Sequence, residues 1–179
     1  FNGDRCMTSI LKVSEIQDPT NSNTALTIDS SGNVLRPQKI AFMSKLDSAF
    51  NPGTASRTVI PFKTNNSADR VFNFGNGFDS TNNRFVAPVA GLYLLFSLAR
   101  VDSHSTSYFH ILRFTLNGSV INEGYYIMVP NSSSYQSSYI QCYVNMSVND
   151  YVDVRTQSQG DSDYSLEQSS THFSGHFIG

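Results

Sequence analysis

Tyr139-Ile140-Gln141-Cys142-Tyr143-Val144-Asn145-Met146-Ser147-Val148 alternates apolar and polar positions without a break. Ile140, Cys142, Val144, Met146 and Val148 form one face; Tyr139, Gln141, Tyr143, Asn145 and Ser147 form the other. Side chains of a strand point alternately to opposite sides of a sheet, so this run is a strand with one face in a core. Asn149-Asp150 then turns the chain into a further strand over residues 151–155.

Moving outward, the same grammar repeats. Residues 92–98 are apolar on both faces, the pattern of a central strand covered on two sides. Tyr108, His110, Leu112, Phe114 and Leu116 share one face of the next strand, and Asn117-Gly118 after it suits a type I′ hairpin, because both residues accept positive φ. Residues 57–62 form a short apolar run closed by Pro61, residues 71–74 alternate weakly, and Gly75-Asn76-Gly77 is a turn or bulge. Residues 157–170 are a long polar loop, and residues 172–178 form a terminal strand. Short strands with turn signals every 8–12 residues predict an all-β sandwich or barrel, of which the jelly roll is one form.

Residues 1–39 read as a separate N-terminal extension, with the sandwich over 40–179. Ile10, Leu11, Val13 and Ile16 suit one side of a short helix, too brief for a coiled coil. Leu26-Thr27-Ile28 and Val34-Leu35 flank Asp29-Ser30-Ser31-Gly32-Asn33 and predict a small hairpin. The chain begins at Phe1, and a processed or trimmed N-terminus is expected.

Composition narrows the function. The 179 residues are enough to bury roughly 70% of the unfolded surface. Thirteen Phe, nine Tyr and no Trp among many Ser, Asn and Thr favour strands and polar loops. A net charge of -2 with 15% charged residues gives no basic excess to neutralise phosphates, so no nucleic-acid partner is expected. The longest apolar stretch, residues 86–99, contains Pro88 and Gly91 and falls short of the about 20 residues of a membrane span. Asn65, Asn117, Asn131 and Asn145 each head an Asn-x-Ser sequon, which points to a secreted, extracellular glycoprotein. The alternation makes Cys142 a buried free thiol that is not bonded to Cys6, and Asn145 falls on the outer face, where a glycan fits.

Ordered motifs from residue 40 onward resemble the C1q-domain family. Ile40-Ala41-Phe42-Met43-Ser44 looks like the family's opening. Asn73, Phe78, Phe85, Gly91 and Tyr93 stand at the spacing N-x4-F-x6-F-x5-G-x-Y, and Ala87-Pro88-Val89-Ala90-Gly91-Leu92-Tyr93 matches A-P-x-x-G-x-Y. Asn117-Gly118, the stretch at residues 148–152 and Phe173-Ser174-Gly175-His176-Phe177 follow in order. The chain departs from the family at Ser67, where a Phe is usual and for which Phe62 is a displaced counterpart. It departs again at Leu95 and Ser97, where aromatics are usual, and at Asn149, where Gly is common. No collagen repeat precedes the domain. The resemblance implies a C1q/TNF-like jelly roll of about ten strands, a tight homotrimer, and ligand binding by exposed loops. It also implies that Cys6 pairs between chains, as the N-terminal cysteines of cerebellin-like proteins do.

Chemistry is sparse. No G-x-S-x-G elbow, P-loop or dinucleotide glycine pattern occurs, so no enzyme is expected. His172 and His176 are spaced like helix ligands, but four strand residues span about 13 Å, too far for one ion. No metal site is expected, except that Asp161 and Asp163 with Glu167 offer carboxylates for calcium. The expected ligand site is the polar, Tyr-bearing loops, with Tyr125, Tyr126, Tyr135, Asp161 and Asp163 as its candidates. Tyrosine offers a flat apolar face and a hydroxyl, and a sugar needs both. The competing reading is that these tyrosines pack between subunits. Two functions follow: a C1q-like lectin or innate-immune recognition protein that binds glycans through trimer loops, or an extracellular matrix or signalling protein that binds another protein.

Overall fold

The structure is a computed structural model that describes residues 12–20, 22–36, 39–53, 57–64, 70–103, 109–128, 135–158 and 164–179. The chain divides into two compact units, Phe1–Lys39 and Ile40–Gly179. Among the described residues there are strands and turns and no helix.

The first unit is a three-stranded antiparallel sheet in the order β1 (Glu15–Gln17), β2 (Thr24–Ile28), β3 (Val34–Leu35). The hairpin expected around residues 29–33 forms. Asp29 Oδ1 accepts the amides of Ser31 at 2.9 Å and Asn33 at 2.8 Å, and Ile28 pairs with Val34. The expected helix does not form where the chain is described: Ile16 lies in β1, paired with Leu26, while Ile10 and Leu11 lie outside the described residues. A single short helical segment is marginal on its own, whereas pairing with β2 satisfies the backbone of residues 15–17 directly.

The second unit begins with β4 (Ala41–Lys45), β5 (Thr58–Val59), β6 (Phe72–Phe74), β7 (Phe78–Asp79) and β8 (Arg84–Val86). It continues with β9 (Gly91–Ser103), β10 (His110–Leu116), β11 (Ser119–Met128), β12 (Gln136–Met146), β13 (Tyr151–Ser158), β14 (Ser165–Leu166) and β15 (His172–Phe177). Two six-stranded sheets result. One runs β12-β9-β15-β4-β6 with β14 beside β9; the other runs β11-β10-β13-β8-β7 with β5 beside β13. The surplus over about ten strands is the two-residue strands β5 and β14, which lie off the main path of each sheet. The decisive run, β12, is buried at Ile140, Cys142, Val144 and Met146 and exposed at Tyr139, Gln141, Tyr143 and Asn145, as its alternation predicts. Val148, expected on the inner face, is instead 53% exposed, because the strand ends at Met146 and Val148 already lies in the following turn.

An aromatic cluster holds the sheets together. Phe42 stacks on Phe85 at 4.7 Å and on Phe78 at 5.2 Å, and meets Phe173 edge-on at 4.8 Å. Offset and edge-on pairs add about 0.5–1.5 kcal/mol each beyond their burial. Phe62, the displaced aromatic of residues 57–62, is fully buried and lies 6.0 Å from Phe173. Gly175 lets β15 run between these rings, since a Cβ there would stand 2.6 Å from Leu95 and 2.9 Å from Phe42. Cys142 is buried and forms no disulfide among the described residues, and Cys6 lies outside them.

Candidate functional site

Strand β9 decides the outer surface of the first sheet. Tyr93, Leu95, Ser97, Ala99 and Val101 point inward and are buried. By alternation Leu92, Leu94, Phe96 and Leu98 point outward, and they remain only part covered. Register places Asn145, Tyr143, Gln141 and Tyr139 of β12 opposite these four residues in turn. On the other side His172 and His176 of β15 pair with Leu98 and Leu94, and β4 brings Ala41 opposite His176 and Lys45 opposite His172. Beyond β4, the edge strand β6 adds Phe72 and Phe74, stacked on each other at 5.1 Å.

The result is a broad apolar and aromatic surface. Tyr139 and Tyr143 are 65% and 63% exposed at one edge, and Phe74 is 58% exposed at the other. Phe96 sits near its centre, 6.5 Å from Tyr139 and 5.4 Å from His172. Because β15 presents Ser174 and histidines between larger neighbours, the surface is troughed. An open groove of about 440 Å³ lies between Met43, Phe72, Leu94 and Phe96, and another of about 460 Å³ lies between Lys45, Arg70, Leu98 and His172. Large contiguous apolar patches on a soluble domain mark places where something binds.

The outer surface of the second sheet is of opposite character. Thr115 donates to Asp153 Oδ1 at 2.6 Å, and Arg155 donates to both Asp153 oxygens at 2.8 and 3.0 Å. That bond, against the opposing effect of burial, holds the Arg155 guanidinium above its ordinary pKa. Arg113 donates to Gln157 at 2.9 Å, and the Arg84 guanidinium lies 4.4 Å over the Tyr151 ring. Thr115, Asp153 and Arg155 thus bond one another within the chain, as do Arg113 and Gln157. The apolar surface of the first sheet has no such internal cover among the described residues.

No family model matches the sequence, and no curated protein matches it. Among solved structures the chain is similar to the globular domain of a zebrafish complement 1qA protein, with a TM-score of 0.58 and 13% identity over 79% of this chain and 98% of that one. The chain has the C1q globular-domain fold.

Within the C1q-like fold the motif residues have visible work. Asn73 Nδ2 donates to the Phe78 carbonyl at 3.0 Å and its Oδ1 accepts the Phe78 amide at 2.9 Å, so one side chain stands in for a strand and anchors β7. Phe78, Phe85 and Tyr93 all join the aromatic core. The Tyr93 hydroxyl donates to the Val89 carbonyl at 2.7 Å and ties down the turn that begins at Ala87. Gly91 has φ +145°, and a Cβ there would lie 2.7 Å from the Gly179 carbonyl oxygen. Asn117 and Asn149 adopt φ +50° and +70°, left-handed turn positions open to asparagine.

Of the expected ligand residues, the side chains of two are described, Tyr126 and Tyr135, and they lie at elements of different sheets. Tyr135 lies just before β12, 66% exposed, with the Arg100 guanidinium 4.2 Å over its ring. Arg100 also lies 3.2 Å from Asp102 and 3.9 Å from Glu167. Tyr126 is exposed on β11, in the other sheet. Tyr125 is placed on β11 opposite Arg113 by backbone register. Asp161 and Asp163 lie outside the described residues, as do Asn65 and Asn131. Glu167, the third carboxylate offered to calcium, is engaged by its own loop. Desolvation opposes its ionisation, but bonds from the Ser169 hydroxyl and amide and the Ser170 amide prevail and lower its pKa to about 2. Among the described residues no three His, Cys, Asp or Glu side chains gather as metal ligands. Residues that sequence reasoning missed are Phe72 and Phe74, whose i, i+2 spacing was the available signal, and Arg100, for which there was none.

Proposed function

We propose that this chain is a secreted, non-catalytic recognition protein whose working form is a homotrimer closed over the outer face of the β12-β9-β15-β4-β6 sheet. The observation that carries the reading is the contrast between that apolar, aromatic face and the polar face of the other sheet, where Thr115, Asp153 and Arg155 bond one another. The family resemblance supplies the number three, and the Asn-x-Ser sequons support an extracellular setting. Cys6 then links trimers through disulfides between chains, which a non-reducing gel tests. Light scattering of the unglycosylated chain at micromolar concentration should give three chain masses; a stable monomer would end this reading.

The ligand we propose is a glycan, bound at loops beside the face. Support comes from Tyr135, an exposed ring braced by Arg100 with Asp102 and Glu167 close by. An aromatic plane beside charged hydrogen-bonding groups suits a sugar's apolar face and hydroxyls. Tyr125 and Tyr126, which lie on strand β11 rather than in a loop, stay in this proposal with Asp161 and Asp163 as further contributors, with calcium as an added ligand of the aspartates. A glycan array should register binding that free sugar competes away and that Tyr135→Ala weakens without changing trimer mass. Unchanged binding by Tyr135→Ala together with Asp161→Ala and Asp163→Ala would remove the site from these loops. A protein that co-purifies with the trimer while the array stays blank would favour the alternative, an extracellular protein partner.

A further inference from the structure

The face that the proposed assembly closes carries an acceptor for a glycan. Asn145-Met146-Ser147 is an Asn-x-Ser triplet, the pattern read by N-glycosylation. Asn145 is exposed on β12, directly opposite Leu92 of β9. Alternation puts it on the same outward side as Tyr143 and Tyr139, the two most exposed rings of the sheet. The sequon therefore lies on the apolar face, beside the residues that self-association would cover.

The other described sequon asparagine is differently placed. Asn117 Nδ2 donates to Asp150 Oδ1 at 2.8 Å, and its Oδ1 accepts the Tyr151 amide at 2.9 Å, within a tight turn at φ +50°. Its amide nitrogen, the atom a glycan would occupy, already pins the hairpin turn to the start of β13. Asn145 has no comparable structural duty, so a sugar on its nitrogen costs the folded chain nothing that the structure shows. It does change the face. Interface cores pack as densely as protein interiors and exclude most water. A branched, hydrated oligosaccharide rooted between Leu92 and Tyr143 is incompatible with such a contact, and it shields an apolar patch that would otherwise lie open.

We infer that Asn145 is a glycan acceptor and that its occupancy decides assembly: chains modified there stay single, and bare chains associate. The inference rests on the self-association reading above. One modification would then exchange two soluble states, a sugar-shielded monomer and a face-to-face oligomer.

The test uses the full chain secreted from a glycosylating mammalian cell line and the same chain made in bacteria, which leave it bare. Size exclusion with light scattering separates the species, and glycopeptide mass spectrometry scores Asn145 in each. The modified fraction should run at the mass of one glycosylated chain, and the bacterial chain at three chain masses. Asn145→Gln should move the secreted protein wholly to the assembled form. Ser147→Ala destroys the sequon but keeps Asn145 and the backbone amide that Ser147 donates to Asp150 at 2.7 Å, so it should do the same. An Asn145 glycan found in the assembled fraction, or no glycan at Asn145 at all, overturns the inference and leaves the association reading standing. A monomeric bacterial chain sinks the association reading and the inference with it.

Discussion

Replacing Phe96 with alanine tests the association face at its centre. The ring points outward from the central strand β9, near Tyr139 on one side and His172 on the other. In an isolated chain it is only half buried, so its loss should cost folding less than the about 3–5 kcal/mol of a fully buried phenylalanine. In a closed assembly it becomes a central, desolvated anchor, and truncating such an anchor costs about 2 kcal/mol or more. Three copies give about 6 kcal/mol per trimer, or roughly 10⁴ in the association constant. Three chains combine in one step, so the midpoint concentration scales as the square root of that constant and should rise about 100-fold. Sedimentation velocity across a dilution series reads this shift directly. Tyr126→Ala, an exposed aromatic on the other sheet, is the control and should leave the midpoint in place. The reasoning fails if Phe96→Ala moves the midpoint less than about threefold, which is under about 1.3 kcal/mol per trimer, or if Tyr126→Ala moves it equally.

Three further substitutions probe the frame. Gly91→Ala places a Cβ against the Gly179 carbonyl at a φ that L residues avoid, and should lower the urea midpoint by an amount equivalent to about 1–3 kcal/mol without changing the slope. Asn73→Ala removes both bonds to Phe78 and should cost about 1–3 kcal/mol, whereas Asn73→Asp keeps the acceptor and should cost less, both read by denaturant unfolding. Glu167 has a folded pKa of about 2 against an ordinary 4.5. Its contribution is therefore complete above about pH 4.5 and is lost as pH falls through 2. Glu167→Gln should accordingly destabilise at pH 6 and converge on the parent chain near pH 2, and parallel thermal-melt curves across that range would contradict the assignment.

Much of the sandwich was legible because burial writes a period of two into the chain. Residues 139–148 and 92–98 announced β12 and β9, and Asn117-Gly118 announced the β10–β11 turn. The motif Asn73, Phe78, Phe85, Gly91, Tyr93 was also legible. Asn73, Gly91 and Tyr93 each answer to a backbone feature, such as the side-chain clamp on Phe78 or the close approach at Gly91, and Phe78 and Phe85 fill the aromatic core. Ile16 misled for the opposite reason: a few apolar residues at helical spacing say nothing about a neighbouring strand that offers a better use for the same backbone. Pairings as short as β5 and β14 leave no period at all, since two residues cannot alternate.

The association face was half legible, and the missing half follows from how sheets are built. Leu92, Leu94, Phe96 and Leu98 betrayed a second covered side because they fill one strand. Tyr139 and Tyr143 stand on one further segment and Phe72 and Phe74 on another, next to polar neighbours, and each segment alone looks like an ordinary strand with one wet face. Only register joins them, by laying Tyr143 against Leu94 and Tyr139 against Leu98 and by hanging β6 on β4. The same register reverses the meaning of Asn145. Read along β12 alone, an outward asparagine is simply room for a glycan. Set beside Leu92 and Tyr143, it lies where an apolar surface would close, so the position that welcomes a sugar in the single chain is the one that a sugar would deny to the assembly.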